Sequence, residues 1–202
     1  ERHWPAIRFE RYADNIICHC RNEAQASRLY AMIAQRSVEC GLELHPEKSQ
    51  IVYCKDVNRR RDHPVIRFDF LGYTFRPRKS TDRHGRYYVN FLPAVSDKAA
   101  KSMRQQIRRW AIHRRVTKSL DDIARMFNPI LRGWINYYGR YYRSALHHVF
   151  RCLDQRLLRW AQQKYKRLRR HQRRTAHWLQ RIMQEQRNLF AHWRLSRSAV
   201  GR

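Results

Sequence analysis

The sequence predicts an α+β segment over residues 1–92 followed by an all-α segment from residue 93 onward. Three observations carry that reading. Apolar residues alternate at a strand-like period of two through much of the first part and recur at helical spacing after Ser96. Charge density changes at the same place: 17 Lys+Arg against 11 Asp+Glu up to Leu92, then 27 against 5 from Pro93 to Arg202. Pro93, a residue that breaks regular structure, stands at the junction.

Ile7 and Phe9, then Tyr12-Ala13-Asp14-Asn15, then Ile16-Ile17-Cys18 read as a strand, a tight turn and a strand. Asn22, with Gln25 three residues on, is expected to cap a helix whose apolar stripe is Ala26, Leu29, Tyr30 and Ile33. Gly41 stands where a left-handed C-terminal cap is wanted. Leu42 and Leu44 alternate with polar residues up to a turn at His45-Pro46, and Ile51-Val52-Tyr53 reads as a short strand. Residues 68–75 and 87–91 are predicted as two further strands joined by a polar turn at Gly85.

In the helical part, Ser96 and Asp97 start a helix with Ala99, Met103, Ile107 and Trp110 on one face. Ser119-Leu120-Asp121-Asp122 is a capping box with Asp in the Glu position, opening a helix through Ile123, Ala124 and Phe127. Asn128-Pro129 predicts a fresh start, a cap followed by Pro at the first helical position, with Leu131, Trp134, Ile135 and Tyr138 leading to Gly139. A longer helix carries Leu146, Val149, Phe150, Leu153, Leu157, Trp160 and Ala161.

The charge bounds the function. The net is +6 for the first part and +22 for the second, giving +28 for 202 residues. Such a field repels itself unless a polyanion is near, and nucleic acid is the usual one. No apolar run reaches the roughly 18 residues of a spanning helix. Five cysteines (Cys18, Cys20, Cys40, Cys54, Cys152) fit no disulfide framework and read as reduced thiols of a cytosolic protein. Cys18-His19-Cys20 lacks the paired spacing of a zinc site; on a strand, Cys18 and Cys20 would face a core with Ile16.

Tyr12-Ala13-Asp14 at a hairpin tip is the most telling local arrangement. Two-metal nucleotidyl transfer needs carboxylates holding two cations roughly 4 Å apart, and a hairpin tip projects such groups rigidly. A lone Asp in a turn also arises for backbone reasons. The surroundings shift that balance. Arg11-Tyr12-Ala13-Asp14, residues 41–49 (GLELHPEKS), residues 70–75 (FLGYTF) and residues 133–140 (GWINYYGR) follow in order. Together they closely resemble the reverse transcriptase/maturase proteins of bacterial group II introns.

The resemblance implies a partial right-hand polymerase. Residues 1–92 would be the C-terminal part of the palm, 93–170 the helical thumb or maturase-specific (X) region, and 171–202 a basic extension. Asp14 matches a ligand of the catalytic Mg²⁺, and Asn15 stands where the second Asp of the family's box belongs. Asn is nearly isosteric but adds no charge and an amide donor that cations disfavour. Lys48 matches the palm lysine that steers the departing pyrophosphate; the alternative is an exposed turn lysine. Gly72 and Tyr73 match the segment that grips the primer, or form an ordinary strand with one Gly. The fingers and early palm strand lie upstream of these motifs in the family, so polymerisation is expected to be lost here. In the complete protein the partners are group II intron RNA, an RNA template and a DNA primer, in the bacterial cytoplasm. The alternative is a freestanding RNA-binding splicing maturase without polymerase activity.

The helical part has its own equipment. Asn136, Tyr137 and Arg140 are expected to be exposed among Arg132 and Arg143, where aromatics stack on bases and Arg clamps phosphates. Trp134, Tyr138 and Tyr141, spaced four and three apart, would share a buried stripe. Arg159, Lys164, Lys166, Arg167, Arg169 and Arg170 are expected to form one continuous basic face. A charge run is often only solvated, but here almost no acids compensate it. The tail from Thr175 shows no nuclease signature.

Overall fold

In a computed structural model, which describes residues 7–195, the chain is α+β with five α-helices and two small sheets. The order is β1 (Arg8–Tyr12), β2 (Asn15–His19), α1 (Glu23–Glu39), β3 (Phe68–Phe70), β4 (Tyr73–Thr81), β5 (Tyr87–Val95), α2 (Asp97–Arg109), α3 (Leu120–Tyr138), α4 (His147–Lys164) and α5 (Gln172–Glu185). β1 and β2 pair as a hairpin, and the second sheet has the order β3-β4-β5. The chain divides into two compact units, Glu1–Phe70 with Arg76–Phe91 and Leu71–Phe75 with Leu92–Arg202.

In the first unit the hairpin register sets Phe9 opposite Cys18 and Arg11 opposite Ile16, so these four share one face. Phe9 and Ile16 remain 53% and 54% exposed. Ile16 therefore does not face a core, and Cys20 falls just after the strand; Cys18 and Cys20 are each half-buried free thiols. Burial pushes the Cys18 thiol up, with Cys20 beside it adding to the effect. The Asn22 side chain accepts from the Gln25 N–H at 2.9 Å and caps α1. No residue of α1 is fully buried.

Two strand expectations change. Residues 51–53 form no strand: Tyr53 N–H donates to the Val65 carbonyl at 2.9 Å and its ring stacks on His63 at 4.2 Å, which is a single tie and not a ladder. Residues 68–75 are not one strand either. Leu71 (φ 50°) and Gly72 (φ 77°) form a tight turn that folds the segment into the β3–β4 hairpin. Two consecutive left-handed residues make the turn that matches strand twist, and Leu at the first position hid it from sequence. β5 also runs through Pro93 to Val95, which an edge strand tolerates.

The second unit holds nearly all the buried apolar residues, with Ile107, Ile112, Ile123, Leu131, Leu153, Leu157, Trp160 and Phe190 fully enclosed. Trp110 lies between Phe127 and Trp134, with ring centroids 4.2 and 5.7 Å away. Ser119 and Asp122 complete the capping box: Asp122 N–H donates to Ser119 Oγ at 3.1 Å and Ser119 N–H to Asp122 Oδ2 at 3.0 Å. The predicted restart at Asn128-Pro129 does not occur, and α3 is continuous with Pro129 inside it. The Asn128 side chain is instead used tertiarily: its Nδ2 donates to the Leu189 carbonyl at 2.8 Å and its Oδ1 accepts from the Ala191 N–H at 2.9 Å. α5 and the segment to Leu195 supply Leu179, Phe190, Trp193 and Leu195 to the core. None of these was read from sequence.

Candidate nucleic-acid interface

The β1–β2 hairpin turns on Ala13 and Asp14, between the paired Tyr12 and Asn15. Ala13 takes φ 52°, as the first position of a mirror-image hairpin turn demands. Arg11 Nε–H donates to the Ala13 carbonyl at 3.2 Å and braces the tip. Asp14 is exposed, and the Asn15 amide donates to its Oδ1 at 3.0 Å. Among the described residues no three His, Cys, Asp or Glu side chains converge. One carboxylate with an amide donor against it does not fit a pair of divalent cations, and no reaction step is assigned to a metal here. Lys48 is exposed in the turn after His45, with its N–H directed at the His45 carbonyl at 3.3 Å.

In the helical unit the turn at Gly72 meets the end of α3. A Cβ on Gly72 would lie 2.6 Å from the Tyr138 hydroxyl, so the bare glycine face is filled from within the unit. Tyr73 is buried, and its hydroxyl donates to the Tyr137 carbonyl. Burial raises its phenol above the ordinary value. The Tyr73 ring touches Tyr137, Tyr138 and Tyr141 at centroid distances of 5.3, 5.3 and 5.8 Å. The Tyr137 hydroxyl donates to the Leu71 carbonyl at 2.9 Å, so this ring is tied down although 47% exposed. Trp134 and Tyr138 are half-buried against the core. Tyr141 departs from the expected stripe: α3 has ended, and the ring is 57% exposed.

Arg132 and Asn136, four apart on α3, share an exposed face. Arg143 Nε–H donates to the Gly139 carbonyl at 3.3 Å and closes the end of α3, a role that helix ends commonly give to Arg. The expected basic face is not carried by one helix. α4 stops at Lys164, residues 166–168 form a short 3₁₀ turn, and Arg170 has φ 64°, so the six residues span the end of α4 and the connection to α5. Arg159, Lys166, Arg167, Arg169 and Arg170 are exposed, as are Arg173 and Arg174 on α5, which sequence reasoning passed over. Lys164 turns inward: its ammonium donates to the Val116 and Lys118 carbonyls at 2.9 and 2.7 Å and lies 5.5 Å from the centre of the Trp160 ring.

The comparisons follow this division. Residues 100–178 match the family described as group II intron, maturase-specific domain, and residues 1–75 match reverse transcriptase (RNA-dependent DNA polymerase). The two matches together support a group II intron reverse transcriptase/maturase. No curated protein and no solved structure matches it. The maturase-specific match takes in most of α2, all of α3 and α4 and the start of α5, hence Tyr137, Tyr138, Tyr141 and the basic run. The reverse transcriptase match takes in the Asp14 hairpin, Lys48 and the Gly72-Tyr73 turn. No helix of its described residues is long and apolar enough to cross a membrane.

Proposed function

We propose that this maturase binds group II intron RNA through its helical part and assists splicing, in the bacterial cytoplasm, without copying RNA itself. Residues 1–92 are read as palm, 93–170 as thumb or maturase-specific region, and 171–202 as a basic extension; a polymerising relative would use template, primer and Mg²⁺. One observation carries the RNA reading. Arg132, Arg159, Lys166, Arg167, Arg169 and Arg170 are exposed without a carboxylate partner among the described residues. A structural surface at this charge density would be laced with acids; a phosphate-binding one would not. Asn15 set against Asp14 favours a second reading, a freestanding splicing maturase that never polymerises.

The test is the salt dependence of binding to a folded group II intron RNA. With about 6 to 8 phosphate contacts, the logarithm of affinity should fall against the logarithm of salt with a slope of roughly −4 to −7. Replacing Arg167, Arg169 and Arg170 with Gln should flatten it by about 2 to 3 units and weaken all RNAs alike. An unchanged slope and affinity would mean the run is merely solvated.

A further inference from the structure

We propose that Tyr141, with Arg140 beside it, is a preformed stacking platform for one unpaired RNA base, an inference that rests on the RNA-binding reading. Three observations separate Tyr141 from its neighbours. Its ring is 57% exposed, and it makes no side-chain hydrogen bond among the described residues. Tyr73 meets it in a T-shaped contact, with ring centroids 5.8 Å apart at 80°, a geometry that does not stack the two ring faces on each other. The Arg140 guanidinium lies over the ring, 6.0 Å from its centre, and is itself exposed, so one face already carries a cation and the other is the one left for a base.

The mount is rigid. Tyr73 is wedged by Tyr137 and Tyr138, and its hydroxyl and that of Tyr137 are both spent on backbone carbonyls. The connection out of α3 is equally fixed. A Cβ on Gly139 would come within 2.4 Å of the Ile135 carbonyl oxygen, so only glycine allows this exit, and Arg143 ties down the Gly139 carbonyl. A platform held in place before binding loses little conformational entropy when a base arrives. Tyr137 is already engaged, with its hydroxyl on the Leu71 carbonyl and its ring against Tyr138 at 4.7 Å. The chemistry selected is a planar base outside a helix, because a paired base offers only its edges, with the adjoining phosphate on Arg140.

The experiment uses the full chain and two RNAs of equal length. One is a hairpin with 2-aminopurine in an unpaired loop, and the other is a blunt duplex. Wild type and Tyr141→Phe should quench 2-aminopurine fluorescence on binding. Tyr141→Ala should lose the quench and weaken loop binding by about 5- to 150-fold, the range for one lost stacked base. Its duplex affinity and salt slope should stay unchanged, while Arg140→Gln should lower the slope by about 1. Retained quench and affinity in Tyr141→Ala would overturn the platform and leave the basic run untouched. Equal losses on loop and duplex would also overturn it, since the ring would then only support the fold. A wild-type chain that binds neither RNA removes the RNA reading and the platform together.

Discussion

Asn128→Ala should release the C-terminal segment from the helical core. Asn128 is buried, 8% exposed, and its amide makes two bonds, donating to the Leu189 carbonyl at 2.8 Å and accepting from the Ala191 N–H at 2.9 Å. Between these two residues lies Phe190, fully buried, followed by His192 and Trp193, also buried. Truncation removes two neutral hydrogen bonds of about 0.5–1.5 kcal/mol each and leaves two half-buried backbone groups unpaired. The combined cost should be about 2–4 kcal/mol. Asn128→Asp should be no better. It keeps the acceptor for Ala191 but sets a carboxylate oxygen against the Leu189 carbonyl. Native-state amide exchange is the appropriate assay, because a two-unit chain need not unfold in one step. The Ala191 amide should exchange about 30- to 1000-fold faster in Asn128→Ala, while amides in the middle of α4 change less. An unchanged Ala191 amide would refute the reasoning and mean that the apolar side chains alone hold the segment.

Lys164→Met should destabilise the helical unit by about 1–2 kcal/mol in urea, because two carbonyls lose a charged donor that is only partly shielded from water. A loss of RNA affinity at unchanged stability would show that its charge serves RNA instead. The capping carboxylate of Asp122 is held below its ordinary value of 3.8, chiefly by the Ser119 N–H. Its contribution is therefore full above 3.8 and fades as pH falls through its lowered folded value. The stability gap between wild type and Asp122→Asn should close in acid; a gap constant from pH 6 to pH 2 would contradict this, judged by thermal melts. Primer extension on a primed RNA with Mg²⁺ or Mn²⁺ should fail in this chain and in Asn15→Asp alike, since no three ligating side chains converge among the described residues. Extension by either form, free of contaminating polymerase, would overturn it.

The sequence by itself determined the features set by neighbours along the chain. The Ser119–Asp122 capping box, the Asn22 and Ser96 caps, the Asp14 hairpin and the helical stripes of α2 and α4 all depend on contacts within about four residues, where spacing carries the information. The charge excess and the order of the four motifs are likewise properties of the string. Tertiary structure decided the rest. Asn128-Pro129 has the local chemistry of a helix start, yet bonds to residues 61 and 63 positions away keep α3 whole. The Leu71-Gly72 turn is closed by the Tyr137 and Tyr138 side chains more than sixty residues later, so residues 68–75 cannot show it alone. Lys164 and Tyr141 changed places: the lysine expected on the surface spends its charge on two carbonyls, and the tyrosine expected in the core faces water. A side chain's face is fixed by where its helix ends and by what packs against it, and neither is written in its period.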